Sequence, residues 1–375
     1  MMLIIIIITL FYCILIGCFI LGFDKVEEFD EQDLTEETKF SILIPFRNEA
    51  ENLSELLQSL DNLDYPKILF EIILVDDASE DNSVEIINNF KIQNHTLNIE
   101  IITNKRGSNS PKKDAITTAV KNAKYEWIIT TDADCIVPIM WLKTLDSFIK
   151  TNNPKMIVAP VTYSINKTFF QNFQLLDFLS LQSATIAGFG IKNPFLCNGA
   201  NFAYKKSLFN VLNGFEGNTN ISSGDDLFLL EKALQTYPKD VMYLKSLKAL
   251  VVTKPQATVT DLIQQRLRWA AKTTSYNNTF GKFVGLIVLL MNALIISVSL
   301  LVITSILRFE FLILIFTLKF FFDILLIHKS ARFFNQTFLF KFYILSSFIY
   351  PFFSVYIAVY SVFFGFKWKS RAFKK

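Results

Sequence analysis

The sequence predicts an α/β fold with a mostly parallel central sheet, flanked by transmembrane helices. From residue 39 to about residue 254, short apolar strands alternate with amphipathic helices, and this alternation implies parallel pairing through right-handed crossovers. The strands are almost continuous apolar runs, as expected when helices cover both faces of a sheet. An uncharged run precedes this region and further apolar runs follow it. We therefore expect an α/β domain attached to a membrane at both ends.

The apolar ends of the chain are long enough to cross a bilayer, which takes about 20 apolar residues. Of the 375 residues, 51% are hydrophobic and 39 are Phe. Met1–Phe23 predicts an N-terminal transmembrane helix. The alternative is a cleaved signal peptide, which normally has a basic start and small residues at its cleavage site. Two or three further helices are expected between residues 281 and 366, where the apolar runs are Phe283–Leu307, Phe309–Ile327 and Phe338–Phe366.

The sides of the membrane present a topological difficulty. The basic tail, residues 367–375, is expected in the cytoplasm, because positively charged flanks prefer that side. If the α/β domain is also cytoplasmic, an even number of spans must follow it, whereas three apolar runs do. One run is therefore expected to be re-entrant or interfacial, and the candidates contain Lys319 and Asp323, or Pro351. We predict a multi-pass protein of the cell inner membrane.

Composition sets the remaining domain boundaries. Residues 24–38 are acidic and predict a solvated linker before an α/β domain of residues 39–257. Residues 258–280 predict a basic, aromatic, amphipathic helix of the kind that rests in the membrane interface. The net charge of +3 gives no indication of nucleic-acid binding. The four Cys have neither zinc nor disulfide spacing and suit a reducing compartment.

Hydrophobic periodicity places the elements of the α/β domain. Leu53, Leu56, Leu57 and Leu60, for example, share one helical face. The predicted strands are Phe40–Pro45, Phe70–Val75, Ile99–Thr103, Trp127–Thr131 and Met156–Val161. The predicted helices are Glu51–Leu60, Ser83–Phe90, Lys112–Ala123, Pro138–Ile149 and Asp225–Tyr237. The turns contain no Gly-x-Gly-x-x-Gly, Walker loop or nucleophile elbow, which excludes the dinucleotide-binding, P-loop and Ser–His–Asp hydrolase classes.

Acidic pairs follow two of these strands. Asp132 and Asp134 lie just past a strand's carboxyl end, where open α/β sheets bind ligands. Mg²⁺ and Mn²⁺ prefer oxygen ligands and usually take one or two from the protein. Asp76 and Asp77 end the second strand, where they could bind a base or a ribose hydroxyl, or else cap the next helix.

Two further polar segments are candidates for the site. Lys112 begins a helix together with a second lysine, which suits a nearby phosphate, although an exposed lysine pair is usually only solvated. Asp225 and Asp226 follow a Gly at another helix start. Acids there favour the helix dipole, but a pair also lets one carboxylate raise the proton affinity of the other, as a general base requires.

The motifs and their order resemble those of the family-2 glycosyltransferases, inverting enzymes of the GT-A fold, in their membrane-bound form. SILIPFRNEAENL is similar to the family's first strand and turn, and LVDDAS to its nucleotide-binding Asp pair. PKKDAI resembles the Gly-Lys-x-x-Ala-Leu element, with Pro111 in place of Gly. TDADC is similar to the metal-binding Asp-x-Asp, and GDD to the base motif. QRLRW matches the Gln-x-x-Arg-Trp motif of membrane polysaccharide and glycolipid synthases, so the resemblance covers Phe40 to about Trp269.

The resemblance implies a role for each matched residue. The base that deprotonates the acceptor hydroxyl would be Asp226, with Asp225 beside it. The metal, Mg²⁺ or Mn²⁺, would be bound by Asp134 and Asp132. The residues implied to bind the nucleotide-sugar are Pro45, Asn48, Glu49, Asp76, Asp77, Lys112 and Asp132. The residues implied to bind diphosphate or border the acceptor are Gly199, Asn201, Gln265, Arg268 and Trp269.

These observations predict a metal-dependent glycosyltransferase that moves a sugar from a nucleotide-sugar, with a UDP-linked donor expected, to a lipid or lipid-linked hydroxyl. A polysaccharide synthase for an N-acetylglucosamine-type or other beta-glycan is the alternative, although the apolar runs are too few to form a polymer channel alone. An inactive scaffold of a synthase complex is a second alternative, which the intact Asp pairs disfavour. A nucleotidyltransferase would need a Gly-rich basic loop after the first strand, and PFRNEAENL is not one.

Overall fold

The computed structural model describes residues 2–32, 34–165, 168–221, 223–272, 277–369 and 371–373. It divides the chain into two compact units. The α/β unit consists of residues 27–164 and 197–254, and the helical unit of residues 1–26, 165–196 and 255–375. Residues 165–196, which the sequence placed inside the α/β domain, thus belong to the unit of apolar helices.

Strands and helices are numbered here in chain order. The strands are β1 Phe40–Phe46, β2 Phe70–Asp76, β3 Ile99–Thr103, β4 Trp127–Thr130, β5 Met156–Val158, β6 Val161–Tyr163, β7 Phe202–Lys205, β8 Val241–Tyr243, β9 Val251–Thr253, β10 Phe366–Trp368 and β11 Arg371–Phe373. The helices are α1 Met2–Lys25, α2 Ala50–Asp61, α3 Ser83–Gln93, α4 Pro111–Asn122, α5 Trp141–Asn152, α6 Phe169–Gly190, α7 Lys206–Val211, α8 Asp225–Thr236, α9 Val259–Ala271, α10 Thr279–Ile303, α11 Phe309–Phe333 and α12 Phe340–Phe363.

The centre of the α/β unit is a seven-stranded sheet of order β3-β2-β1-β4-β7-β5-β8. All neighbouring strands pair in parallel except β7, which is antiparallel to both β4 and β5. The predicted mostly parallel α/β fold is therefore confirmed. Ile42, Leu43 and Ile44 of β1 have no exposed surface, as expected of a strand covered on both faces.

The parallel register brings the carboxyl ends of four strands to one edge of the sheet. Phe46 of β1 lies opposite Asp76 of β2, and Asp76 lies opposite Thr103 of β3. On the other side, Leu43 of β1 is paired with Thr130 at the end of β4. The residues that follow these ends, including the acidic pairs, therefore meet at this edge.

One predicted strand is two strands in the structure. The run Met156–Val161 is divided at Pro160 into β5, which joins the large sheet, and β6, which pairs in parallel with β9. Proline has no N–H to donate to a strand ladder. The chain therefore leaves the large sheet at this point and starts a separate two-stranded one.

The acidic segment before β1 is not only solvated, as the sequence suggested. Its carboxylates pair with lysines of the same unit: Glu36 with Lys143 at 3.5 Å and Glu37 with Lys150 at 3.6 Å, both on α5. The backbone N–H of Gln32 also donates to the Ser147 hydroxyl at 2.8 Å. Residues from 27 onward therefore pack with the α/β unit.

The helical unit contains four helices that are long and apolar enough to cross a membrane, within the part of the chain that the structure describes. They are α1, α10, α11 and the segment Thr337–Phe363, which includes α12. Helix α6 packs closely against α1: a Cβ at Gly190 would lie 1.8 Å from the carbonyl oxygen of Gly22. Only residues without side chains allow this approach of the two backbones.

The amphipathic helix α9 forms where residues 258–280 predicted it, but its apolar face is covered by protein. Leu267 packs in one cluster with Ile357 of α12 and Phe366 of β10. The side chain of Thr258 caps the helix by accepting from the N–H of Asp261 at 3.1 Å. The apolar face of α9 is therefore used to bind α12 and the start of the C-terminal hairpin.

Candidate active site

An ammonium group lies among carboxylates at the carboxyl edge of the sheet. The Nζ atom of Lys112, in the first turn of α4, lies 2.6 Å from Asp132 Oδ1 and 3.5 Å from Asp225 Oδ2. The side chain of Lys112 is 16% exposed and that of Asp225 is 10% exposed. The lysine is therefore not simply solvated, and the structure brings α4, the turn after β4 and the start of α8 together.

The electrostatics of this cluster keep Lys112 charged. Burial lowers the pKa of its ammonium group, but the nearby carboxylates of Asp132 and Asp225, with a smaller contribution from Asp226, outweigh burial. The net result is a pKa well above the ordinary lysine value. Lys112 thus supplies a permanent positive charge at this edge of the sheet.

Asp226 is held by backbone donors. Its Oδ2 accepts a hydrogen bond from the N–H of Gly199 at 2.9 Å, and its Oδ1 accepts from the N–H of Leu227 at 2.7 Å. A Cβ at Gly199 would lie 3.2 Å from Asp225 Oδ2, which is tighter than ordinary contact. The absence of a side chain at Gly199 therefore lets the backbone reach the carboxylate pair.

The Asp-x-Asp pair offers oxygen ligands of the kind that a hard cation prefers. Asp132 and Asp134 are both partly exposed. Burial raises the pKa of the Cys135 thiol beside them, and Asp134 and Asp132 raise it further, so Cys135 stays protonated and is a poor ligand. Among the described residues, His, Cys, Asp and Glu nowhere form a group of three that could hold a metal. The two carboxylates of Asp132 and Asp134 alone would fit a hard divalent cation that takes its other ligands from phosphate and water.

Asp77 lies in a polar pocket whose other members the sequence analysis missed. It is 6% exposed, and its Oδ1 accepts hydrogen bonds from Asn104 Nδ2 at 2.7 Å and from Arg106 at 3.2 Å. Both partners follow the end of β3, at the same edge of the sheet as Asp77. The available signal was a polar, basic run directly after a predicted parallel strand.

Arg106 also lines an open cleft of about 660 Å³ in the α/β unit. The other lining residues come from two segments: Gly107, Ser108 and Asn109 follow Arg106, and Thr219 and Asn220 precede α8. Asp114 of α4 fixes the first segment by accepting from the N–H groups of Gly107 and Ser108 at 3.0 and 2.9 Å.

The first turn after β1 is bound to the turn after β2. Asn48 has a left-handed backbone (φ 50°), and its side-chain oxygen accepts from the N–H of Glu80 at 2.8 Å. Arg47, another residue missed by the sequence analysis, donates to the carbonyl of Asp77 at 2.8 Å and to the Glu80 carboxylate at 2.7 Å. Asp76 accepts from the N–H of Ser79 at 2.9 Å and so stabilises the second turn.

Two other predicted nucleotide-sugar residues lie beside this turn. Pro45 is part of β1, opposite Val75 of β2. The carboxylate of Glu49 accepts from Asn52 Nδ2 at 2.7 Å, within the start of α2. A direct contact of either residue with the donor stays a prediction.

Asn201, predicted to border the acceptor, is buried, with 1% of its surface exposed. Its amide oxygen accepts from Trp141 Nε1 at 3.0 Å, and its amide nitrogen donates to the carbonyls of Pro160 and Ala249 at 2.8 and 2.7 Å. These contacts fix the turn that carries Gly199. The observed role of Asn201 is therefore support of the site, and contact with the acceptor stays a prediction.

Gln265, Arg268 and Trp269 lie on α9, in the helical unit. Arg266, on the same helix, donates from its Nε to Asp177 Oδ2 of α6 at 2.7 Å. Both side chains of this ion pair are 6% exposed, and the guanidinium lies 4.2 Å from the centre of the Trp269 ring. The sequence analysis found neither Arg266 nor Asp177, because their pairing joins residues 89 positions apart.

The mostly parallel sheet with acidic pairs at its carboxyl edge is the architecture expected of the family that the motifs resemble, and comparisons with known proteins agree. Residues 41–212 match Glycosyl transferase family 2, and residues 127–366 match Glycosyl transferase family group 2. The second match covers more than half of the chain. The chain therefore belongs to the family-2 glycosyltransferases.

Two curated relatives illustrate the similarity. A poly(ribitol-phosphate) beta-glucosyltransferase of Bacillus spizizenii is 39% identical over 115 residues, which are 30% of this chain and 18% of that protein. A dolichyl N-acetyl-alpha-D-glucosaminyl phosphate 3-beta-D-2,3-diacetamido-2,3-dideoxy-beta-D-glucuronosyltransferase of Methanococcus voltae is 30% identical over 172 residues, 45% of this chain and 49% of that protein. The chain thus spans less than half of the length of either relative.

A solved structure shares the fold over almost the whole chain. It is the mannosyltransferase PcManGT from Pyrobaculum calidifontis in complex with GDP-Man and Mn²⁺. The TM-score is 0.57 at 16% sequence identity, and the match covers 96% of each chain. The GT-A fold that the resemblance implied is therefore confirmed.

Proposed function

We propose that this chain is a membrane-bound inverting glycosyltransferase that transfers a sugar from a nucleotide-sugar to a hydroxyl group of a lipid or lipid-linked acceptor. The observation that carries the proposal is the meeting of Lys112, Asp132 and the pair Asp225–Asp226 around Gly199. One position there offers fixed positive charge for a leaving diphosphate and another offers a carboxylate for the incoming hydroxyl. A scaffold protein would need neither.

The donor is proposed to bind along the carboxyl edge of the sheet. Asp77, held by Asn104 and Arg106, would accept hydrogen bonds from the base and ribose, and the cleft beside Arg106 would admit the rest of the nucleotide. Lys112 would then face the diphosphate. A UDP-linked sugar is the donor we propose.

The cation is proposed to be Mg²⁺ or Mn²⁺, bound by Asp134 and Asp132. When bound, it would neutralise the negative charge that grows on the diphosphate as the sugar leaves. Asp132 also pairs with Lys112, so its carboxylate would have a positively charged partner both with and without the bound cation. The Mn²⁺ in the mannosyltransferase of similar fold supports this proposal.

Transfer is proposed to follow a single displacement. The acceptor oxygen forms a bond with the anomeric carbon while the bond from that carbon to the diphosphate oxygen breaks. The nucleoside diphosphate leaves with the bonding electrons, and Asp226 takes the hydroxyl proton. Since one carboxylate suffices and no covalent sugar–enzyme intermediate forms, the anomeric configuration inverts. General base catalysis of this kind contributes about 10²–10⁴-fold to the rate.

The acceptor is proposed to reach the enzyme from the membrane. Four helices are long and apolar enough to cross it within the described residues, and the relative from Methanococcus voltae is named for a dolichyl-linked sugar phosphate. We propose a multi-pass protein of the cell inner membrane with a cytoplasmic α/β unit. Gln265, Arg268 and Trp269 remain proposed contacts of diphosphate or acceptor.

The proposal is tested with membranes containing the protein, a panel of labelled UDP- and GDP-sugars and Mn²⁺. Label from one donor is expected in the lipid fraction. Label in a high-molecular-weight polymer would instead indicate a polysaccharide synthase. The matched control is Asp226→Asn, which should bind the donor and transfer no sugar. If Asp226→Asn transfers at the normal rate, Asp226 is not the base; if no donor is consumed by the unmodified protein, the enzymatic proposal fails.

A further inference from the structure

A second lysine in the first turn of α4 makes contacts of a different kind. Lys113 is 1% exposed. Its ammonium group donates to the carbonyl oxygens of Asn218 and Ile221 at 2.7 and 2.8 Å and lies 4.6 Å from the centre of the Phe228 ring. A lysine this deeply buried needs such partners, because an uncompensated charge in the interior is very costly.

The carbonyls that Lys113 binds belong to a short loop with a specific position. Between Asn218 and Ile221 lie Thr219 and Asn220, which line the cleft together with Arg106. Phe228 is in the first turns of α8, which begins with Asp225 and Asp226. Lys113 therefore contacts the two residues that flank this part of the cleft wall, and also the helix that carries the carboxylate pair.

The two neighbouring lysines of α4 thus have different partners. Lys112 compensates the charge of the carboxylates, whereas Lys113 binds the loop that leads to them. The loop contains the cleft-lining residues Thr219 and Asn220. A shift of the loop relative to α4 would therefore also shift this part of the cleft wall relative to Lys112.

We infer that Lys113 is a positioning residue that sets the width of the donor cleft by fixing the loop of residues 218–221. The inference rests on the proposed function, since it assigns the cleft to the nucleotide-sugar. Lys113 itself contacts no substrate. Its effect should therefore appear mainly in the KM for the donor, while the chemical step at Asp226 changes little.

A second lysine that binds backbone carbonyls, close to the loop in sequence, provides a matched control. Lys232 of α8 donates to the carbonyls of Leu212, Gly214 and Glu216, at 3.1, 2.8 and 2.8 Å. Lys232 therefore fixes the chain before the loop, whereas the two carbonyls bound by Lys113 directly flank Thr219 and Asn220 of the cleft. Removing Lys232 tests the loss of a carbonyl-binding lysine without the proposed effect on the cleft.

The experiment compares Lys113→Met, Lys113→Arg and Lys232→Met in the full-length detergent-solubilised protein. Loss of the two hydrogen bonds from Lys113 leaves the loop to be ordered when the donor binds, which is expected to weaken donor binding by about tenfold. We expect Lys113→Met to raise the donor KM by about tenfold with less than about a threefold change in kcat. Lys113→Arg should restore most of the affinity, and Lys232→Met should leave the donor KM unchanged.

Hydrogen exchange of residues 218–221 gives a readout that needs no activity. Exchange should become faster in Lys113→Met than in the unmodified protein, and a bound nucleotide-sugar should slow it again. If Lys113→Met does not fold, Lys113→Gln, whose amide reaches one carbonyl, replaces it. Equal donor KM and equal exchange in all variants would overturn the inference. An unmodified protein that consumes no nucleotide-sugar would overturn the proposed function, while the exchange experiment would still report on the loop.

Discussion

The ammonium nitrogen of Lys112 lies 2.6 Å from the carboxylate of Asp132. The same nitrogen is 3.5 Å from Asp225, so one cation compensates carboxylates from two different segments of the chain. Without it, these carboxylates would repel one another with no compensating charge between them.

Lys112→Met should therefore abolish most transfer. Removing one preorganised charge at a developing anion typically costs about 10²–10³ in kcat. The measurement is kcat and KM for the donor, with a melting curve to confirm folding. Lys121→Met, an exposed lysine at the end of the same helix, is the control and should behave as the unmodified protein. If the activity of Lys112→Met stays within threefold of normal, which is about 0.65 kcal/mol in activation free energy, this role is contradicted.

The pH profile gives a second test of Lys112. Its pKa is raised above the ordinary 10.5 by the carboxylates, so the stabilisation from its charge is complete below 10.5 and is lost only as pH rises through the higher folded value. Lys112→Arg, which keeps the charge at any pH, should have the same alkaline limb of activity as the unmodified protein up to about pH 10. An alkaline loss of activity that disappears in Lys112→Arg would show that Lys112 titrates normally.

Gly199→Ala should reduce kcat more than stability. The added Cβ would lie 3.2 Å from Asp225 Oδ2 and 3.4 Å from Asp226 Cβ, so the carboxylates must move by a few tenths of an ångström. Small displacements at a reacting centre can cost up to about 10²-fold in rate. Gly285→Ala on α10, where a Cβ would meet no atom within 4 Å, is the control. Normal kcat in Gly199→Ala would mean that the position of the pair is not critical.

Much of the α/β unit could be predicted from the sequence because its signals are local. The strand Ile99–Thr103 was predicted with its observed ends, since apolar runs between turn residues define such strands. Asp77 and Asp132 could be placed at one edge, because parallel strands share their carboxyl ends. Their partners were harder to find: Asn104 binds Asp77 across 27 residues, and no local pattern indicates that pairing.

Other features depend on tertiary packing alone. Helix α6 contains Asn, Gln and Asp residues in an apolar background, so its sequence gave no clear sign that it belongs with the apolar helices. The buried contacts of Lys113 were equally hidden, because a lysine pair at a helix start is usually solvated. In both cases the sequence shows the residue type but not the residues that pack around it in the fold.

The buried pair of Asp177 and Arg266 should be important for stability. Breaking a buried ion pair by removing one partner typically costs about 3–5 kcal/mol, whereas replacing both partners by apolar residues is often neutral. Asp177→Leu alone is therefore expected to lower the melting temperature strongly, and Asp177→Leu with Arg266→Met to recover most of the loss. The measurement is thermal unfolding in detergent. If the double variant is as unstable as the single one, the ion pair itself stabilises the fold, and the loss in Asp177→Leu does not come from leaving Arg266 buried without its partner.

The C-terminal tail should lie on the same side of the membrane as α9. Phe366, just after α12, packs with Leu267 of α9, and α9 leads into α10. Helices α10 and α11 can cross and return, whereas the end of α12 is packed against α9. The Pro351-containing α12 is therefore the run expected not to cross completely, which also gives the even number of spans that a cytoplasmic α/β unit requires.

The measurement uses single cysteines, with the four natural ones replaced, and a thiol reagent that does not cross membranes. Lys369→Cys and Asn277→Cys should be labelled from one side and Arg308→Cys, between α10 and α11, from the other. Labelling of Lys369→Cys together with Arg308→Cys would show that α12 crosses the membrane fully.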